Sequence, residues 1–207
     1  MFRNTRSTAI GDREFIVLMG LLMSLVALAI DAMLPALAVI GGDLGVTNVN
    51  HNQLIISLVF LGLAIGQLFY GPLSDSIGRK PAIYIGTGIF MLGCVMSLLA
   101  TSFSFMLAGR LLQGFGIAGP RIVMVALIRD KYQGREMAKV MSFVLTLFII
   151  APVIAPALGQ AIISFSHWRA IFGLFFLLAL ISIFWLAVRQ PETLSVEKQI
   201  PMSLSRV

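Results

Sequence analysis

The chain has 207 residues, of which 58% are hydrophobic and only 12% are charged. A typical soluble domain is about 45–50% apolar and about 25% charged, so this composition excludes an ordinary soluble fold. The net charge of +6 does not indicate nucleic-acid binding, because the basic residues lie in short clusters between apolar runs. An internal disulfide is excluded as well, since Cys94 is the only cysteine. The composition therefore indicates an integral membrane protein.

Six apolar runs are long enough to cross a hydrocarbon core of about 30 Å. We predict spans at Phe15 to Ile40, Gln53 to Leu73, Ala82 to Ala100, Phe105 to Ile128, Ala138 to Ile163 and Ala170 to Val188. The first run is too long for the core of a cleaved signal peptide, which has about 7–15 apolar residues. We therefore expect an all-α, polytopic bundle over residues 15–188, preceded by a cytoplasmic segment 1–14. Residues 189–207 are expected to form a cytoplasmic tail that begins a longer connection.

The basic residues of the short connections predict the orientation of the spans, because they are retained on the cytoplasmic side. Those on the first side are Arg3, Arg6, Arg13, Arg79, Lys80, Arg129, Lys131, Arg135, Lys139, Arg189, Lys198 and Arg206. The opposite side carries Arg169 alone, so both termini are expected in the cytoplasm. Six spans with this topology divide into two groups of three with opposite directions, as in transporters built from two inverted three-helix repeats.

Asp31 lies inside the first span, where a charged side chain costs about 2.5–3.5 kcal/mol on insertion scales. Two interpretations stay open. The carboxylate forms a structural pair with a basic residue of a neighbouring span, or it binds protons or substrate in a wet cavity. Pro35 favours the second, because it removes a helical hydrogen bond one turn later, and such breaks are tolerated where the backbone lines a cavity.

The fourth span carries two further charges and a glycine pattern. Arg110 is the predicted partner of Asp31, because a guanidinium stays charged at physiological pH. Arg121 either extends its headgroup towards the cytoplasm or lines the cavity. Gly114 to Gly119 matches the dinucleotide-binding pattern G-x-G-x-x-G, but it lies in mid-span with no preceding strand, so we predict close helix packing instead.

The segment from Gly71 to Pro81 joins the second and third spans. Gly71 and Gly78 are predicted to allow tight turns, Asp75 to approach a helix N-terminus or a basic partner, and Arg79 with Lys80 to anchor the cytoplasmic face. A basic turn and a gating latch both fit this pattern, and its residue order favours the latch.

The fifth span contains Pro152 and Pro156, and each of them removes a helical hydrogen bond. We predict a bend there, which suits a gate, although packing alone also explains it. The two histidines lie in connections, and no group of residues has metal-ligand spacing or a catalytic arrangement. The sequence therefore predicts neither an enzyme nor a cofactor or metal site.

Taken together, the motifs resemble the major facilitator superfamily, and within it the drug/proton antiporters of the bicyclomycin-resistance and chloramphenicol-efflux (Bcr/CflA) type. The resembling segments are Asp31 with Pro35, Gly71 to Lys80, Arg110 with Gln113 and Gly114, Ala151 to Gly159, Arg129-Asp130, His167-Trp168-Arg169 and Pro191 to Leu194. Two positions depart from the pattern, since Gln160 replaces a second glycine and Arg121 has no counterpart.

The resemblance implies a proton-coupled multidrug efflux transporter of the bacterial inner membrane that works by alternating access. It implies proton or cationic-drug binding at Asp31, proton coupling at Arg110 with Gln113, and an inward gate closed by Asp75 and Arg79. Pro152, Pro156 and Gly159 would form the antiporter helix. Its partners would be an apolar or cationic drug, protons and lipid. Family members have about twelve helices with the site between two halves, so the resemblance covers the amino-terminal half. The alternative is a half-size bundle that needs a second half or a homodimer.

Overall fold

The computed structural model describes residues 11–194. Within that range the chain forms seven α-helices, namely α1 (Asp12–Asp31), α2 (Leu37–Asp43), α3 (Leu54–Ile77), α4 (Arg79–Leu98), α5 (Phe103–Lys131), α6 (Gly134–Phe165) and α7 (Arg169–Arg189). Six segments are long and apolar enough to cross a membrane, and α1 with α2 makes up the first of them. The predicted all-α bundle of six spans is therefore confirmed. The predicted segments 1–14 and 189–207 fall largely outside the described residues.

The first span is broken in its middle. α1 ends at Asp31, a short 3-10 turn covers Leu34–Ala36, and α2 begins at Leu37. Pro35 has no N–H with which to bond the carbonyl of Asp31 four residues earlier, and this missing hydrogen bond coincides with the break. The predicted weakening at Pro35 is confirmed, and the predicted first span is present as two helices joined by a short turn. The break places the intramembrane carboxylate at the end of a helix.

α5 lies at the centre of the bundle, packed closely between α3 and α4. A Cβ at Gly114 would collide with the carbonyl oxygen of Val59, and one at Gly116 with the backbone nitrogen of Phe90. The glycine pattern therefore serves close helix packing, as predicted, and it lies inside an α-helix. This packing fixes α5 firmly against two neighbours, and with it the side chains that α5 carries.

α6 is the most exposed of the spans. It packs on α1. In its most apolar stretch of 18 residues only 17% are buried, compared with 61% in the corresponding stretch of α5. Its exposed surface carries large apolar side chains, including Phe143, Ile149 and Val153. The helix runs unbroken through Pro152 and Pro156, and the bend predicted there stays a prediction. One side of the bundle therefore presents a long apolar face.

Candidate functional site

Arg110 is completely buried in the middle of the bundle. Its Nε donates to the carbonyl of Ile55 at 2.9 Å, and its two terminal nitrogens donate to Gln113 Oε1 at 2.6 Å and to the carbonyl of Ala29 at 2.7 Å. The ring of Phe172 lies 5.7 Å from the guanidinium carbon. Arg110 therefore connects α5 to α1, α3 and α7 through hydrogen bonds and a cation–π contact, without a carboxylate.

The predicted pair between Asp31 and Arg110 is not formed, and the three guanidinium nitrogens donate to two backbone carbonyls and Gln113 instead. The Asp31 side chain is partly exposed, and among residues 11–194 its carboxylate has no hydrogen bond or ion pair. Gln113, one turn from Arg110 on α5, accepts its hydrogen bond, and Gln113 Nε2 lies 3.4 Å from Ser97 Oγ. Asp31 thus stands apart from the buried polar group that contains Arg110 and Gln113.

The fifth span meets the break in the first span at Gly159. A Cβ at this position would collide with the carbonyl oxygen of Ala32, the residue that follows Asp31. Only glycine permits so close an approach of the two backbones. Pro156 lies about one turn away on the same helix. The motif that includes Pro152, Pro156 and Gly159 therefore packs against the segment that carries the candidate proton-binding carboxylate.

Arg79 is the centre of a charged group at the carboxyl-terminal end of α3. Arg79 is buried, and its guanidinium forms ion pairs with Asp75 and, at 2.9 Å, with Asp130 on α5. It also donates to Ser74 Oγ at 2.8 Å. We call Asp75, Arg79 and Asp130 the latch network. It joins α3, α4 and α5 at one end of the bundle, and it includes the predicted contact between Asp75 and a basic partner.

The segment from Gly71 to Pro81 is not the loop that the sequence predicted. α3 continues to Ile77 and α4 starts at Arg79, so only Gly78 lies between the helices. Gly78 has a φ of 102°, which confirms the predicted tight turn, because other residues rarely adopt that conformation. Gly71 lies inside α3 with an ordinary helical φ, so the turn predicted there is wrong. Lys80 Nζ lies 3.4 Å from the carbonyl of Ala187 on α7.

Glu192 completes the group around Arg79, and sequence reasoning assigned it no role. Its two carboxylate oxygens accept the backbone N–H groups of Arg79 at 3.0 Å and Lys80 at 2.8 Å. These are the first two residues of α4, whose capping residue, Gly78, offers no side chain. A carboxylate at a helix N-terminus satisfies otherwise unpaired donors and opposes the positive end of the helix dipole. Thr193 also reaches Asp130, at 3.3 Å.

Replacing Glu192 with alanine is expected to destabilise the start of α4 by about 1 kcal/mol, the usual cost of losing a helix cap. Amide hydrogen exchange should accelerate at Arg79 and Lys80, whereas the exposed Glu136→Ala variant leaves these amides unchanged. Glu192→Gln, which keeps an acceptor oxygen, should give an intermediate rate. Unchanged exchange in Glu192→Ala would contradict the capping role.

Arg121 lies in α5, partly exposed, and within residues 11–194 its guanidinium makes no hydrogen bond or ion pair. It differs from Arg110, which is buried on the same helix. Both predicted interpretations, extension towards the membrane surface and lining of a cavity, remain compatible with this position.

A cleft of about 700 Å³ opens between the first turns of α1 and α6. It is lined by Asp12, Arg13, Ile16, Val17, Tyr132, Glu136, Lys139, Val140, Phe143, Thr146 and Leu147. Charges of both signs surround an apolar floor. Tyr132 donates its hydroxyl to Asp12 at 2.6 Å, and its burial and this hydrogen bond raise the pKa of the phenol. None of the site residues predicted from the sequence lines the cleft.

Among residues 11–194, six membrane-length spans indicate a multi-pass membrane protein. A broken first span, a buried arginine and a charged group at one helix turn are features compatible with a transporter. The chain belongs to the Major Facilitator Superfamily, which it matches over residues 19–204.

The relatives agree with this assignment. The chain is 36% identical over 191 residues to a bicyclomycin resistance protein homolog of Haemophilus influenzae, a match that covers 92% of this chain and 48% of the relative. It is 32% identical to the multidrug resistance protein MdtL of Salmonella paratyphi B, covering 94% of this chain and 49% of MdtL. The fold resembles that of the human organic anion transporter MFSD10, with a TM-score of 0.69, 18% identity and coverage of 93% and 50%. The chain spans about half the length of the curated relatives it matches.

Proposed function

We propose that this chain forms the amino-terminal half of a proton-coupled multidrug efflux transporter of the bacterial inner membrane. The proposal follows the relatives, which are named for bicyclomycin and multidrug resistance. Its cargo would be an apolar or cationic drug, and both chain termini would lie in the cytoplasm. Transport would proceed by alternating access, in which protons and drug bind in turn to a site that opens to either side of the membrane.

The unpaired carboxylate of Asp31 is the observation that carries this proposal. A carboxylate inside a membrane span is expensive, and the hydrogen-bonded partner that would make it structural does not occur among residues 11–194. The interpretation as a structural pair with Arg110 therefore loses its support, and the interpretation as a proton- and drug-binding group gains it. Protonation from outside would release a cationic drug, and deprotonation towards the cytoplasm would restore binding.

The latch network supports a gate at the cytoplasmic end. Arg79 holds carboxylates from α3 and α5 together, and Glu192 binds the start of α4. Hydrogen bonds to charged groups contribute about 1.5–3 kcal/mol each, so closure and release of such a group can bias an equilibrium between two conformations. Arg110 and Gln113 would have a separate role, which is to hold the end of α1 that carries Asp31 in place.

The decisive experiment compares Asp31→Asn with the parent chain in proteoliposomes with an imposed pH gradient, using ethidium as the probe. We expect the variant to lose at least about 90% of proton-driven ethidium movement, a tenfold effect of about 1.4 kcal/mol in transition-state terms. Glu136→Gln, which removes an exposed carboxylate in the first turn of α6, is the matched control and should retain the parent rate. Equal and measurable rates for Asp31→Asn and the parent would contradict the proposal.

The exposed apolar face of α6 favours a second candidate, in which the six-helix bundle moves nothing until it meets a second half or another copy. Relatives of twice the length would supply that half within one chain. Native mass measurement and cross-linking in detergent distinguish these cases. The second candidate is supported if the chain is a monomer that does not move ethidium alone and begins to move ethidium when a carboxyl-terminal half is co-expressed. Movement by the monomer alone rules it out.

A further inference from the structure

The sixth span, α7, contacts both ends of the first span, which consists of α1 and α2, through tryptophan side chains. The chain has only two tryptophans, and both lie at the ends of the same span, Trp168 just before α7 and Trp185 near its end. Trp168 donates its indole N–H to Asp43 Oδ2 at 2.7 Å, and Trp185 donates to Glu14 Oε1 at 2.9 Å. Asp43 ends α2 and Glu14 lies in the first turn of α1.

The two contacts hold separate pieces of the first span. Because the helix is interrupted between Asp31 and Leu37, the position of α2 is not fixed by α1 through a continuous hydrogen-bond ladder. α7 contains no proline and runs unbroken for 21 residues. It therefore offers a continuous support against which both pieces can be aligned.

Trp168 is the more deeply buried of the two tryptophans, whereas its acceptor, Asp43, is exposed. Trp168 is completely buried, the guanidinium carbon of Arg169 lies 4.1 Å from its ring centroid, and Arg169 donates to the carbonyl of Ala100 at 2.9 Å. The Trp168 ring also meets Phe172 edge-on, with centroids 6.1 Å apart. Packing on several sides fixes the orientation of the indole ring. Its N–H therefore points in one direction, where it donates to the charged carboxylate of Asp43.

A continuous set of contacts leads from Trp168 to the other side of the break. Phe172 lies beneath the guanidinium of Arg110, and Arg110 donates to the carbonyl of Ala29, two residues before Asp31. The same end of α7 thus contacts α2 beyond the break through Trp168, and α1 before the break through Phe172 and Arg110. Asp31 lies between these two fixed points.

We propose that Trp168 is a positioning residue whose hydrogen bond to Asp43 holds α2, the part of the first span beyond the break, against α7. Trp185 performs the corresponding task at the other end with Arg189, which forms two hydrogen bonds of 2.7 Å with Glu14. This inference concerns the geometry of the bundle, and it holds whether or not the chain moves drugs by itself.

The test is amide hydrogen exchange of the full chain in lipid nanodiscs, combined with the resonance Raman signal of the indole N–H. In Asp43→Ala and Trp168→Phe, residues 32–43 should exchange about tenfold faster, as expected for the loss of a hydrogen bond to a charged group. Asp43→Asn keeps an acceptor oxygen and should retain both slow exchange and the hydrogen-bonded indole signal. Trp185→Phe should accelerate exchange at residues 12–20 and leave residues 32–43 unchanged.

The Asp43 variants keep the inference testable even where Trp168→Phe loses stability through its aromatic packing. Acceleration confined to residues 32–43, together with rescue by Asp43→Asn, supports the positioning role. Equal exchange in Asp43→Ala and the parent overturns it. Acceleration spread over all spans in Asp43→Ala overturns it too, because that result would assign the hydrogen bond to general stability.

Discussion

Arg110→Leu is expected to lower the free energy of unfolding by about 3 kcal/mol or more, because each buried polar group left without a partner costs about 1–3 kcal/mol. Three acceptors lose a donor at once, namely the carbonyls of Ile55 and Ala29 and the side chain of Gln113. The carbonyl of Ala29 is the most sensitive, since it lies in the last turn of α1, where the helix itself supplies no further N–H groups. Removing a buried charge recovers some desolvation energy, but the carbonyls stay buried.

The measurement is reversible unfolding in mixed micelles, followed by circular dichroism. Arg121→Leu is the matched control, because Arg121 lies on the same helix, is partly exposed and makes no hydrogen bond within residues 11–194. It should change stability by less than about 0.5 kcal/mol, as surface substitutions usually do. Arg110→Lys keeps the charge but lacks the planar set of donors, and should recover only part of the loss. Equal stability of Arg110→Leu and Arg121→Leu would refute the structural role of Arg110.

The spans could be predicted from the sequence because their signal is local. A run of about 20 apolar residues is sufficient to identify a membrane helix, and Pro35 identifies a weakened point because the missing N–H belongs to the residue itself. The break is not predictable from proline alone, since α3, α5 and α6 each continue through one. The glycine pattern of α5 likewise predicts close packing. It does not reveal that Gly114 faces Val59 and Gly116 faces Phe90, since those neighbours are chosen by the tertiary fold.

The candidate site was less predictable, because its contacts depend on distant parts of the chain. Charge alone made Asp31 the natural partner of Arg110, yet backbone carbonyls 55 and 81 residues away take its donors. A sequence reveals charged side chains but not where the unpaired carbonyls at a helix end come to lie. Glu192 was missed for the same reason, as it caps a helix that begins 113 residues earlier. By contrast, Asp75 and Arg79 are four residues apart, and their pairing could be anticipated.

The contact between α6 and the break in the first span gives the second large prediction. Gly159→Ala should destabilise the bundle by about 2–3 kcal/mol, because added volume in a closely packed site forces backbone shifts. The obstacle is the carbonyl of Ala32, which belongs to the backbone and cannot rotate away as a side chain would. Gly71→Ala is the matched control, since Gly71 is also helical but has open space around it. That substitution should be neutral or should stabilise by up to about 1 kcal/mol, the difference in helix propensity.

Comparison with Pro156→Ala then separates two explanations of the motif formed by Pro152, Pro156 and Gly159. If the motif acts by bending α6, restoring the missing N–H with Pro156→Ala should alter exchange around the break as strongly as Gly159→Ala does. If it acts through close approach, only Gly159→Ala should move the segment that follows Asp31, and amide exchange at residues 32–36 should rise in that variant alone. The collision at Ala32 favours the second explanation. Exchange that rises equally in both variants would favour the bend, and Gly159 would then be one part of a flexible helix.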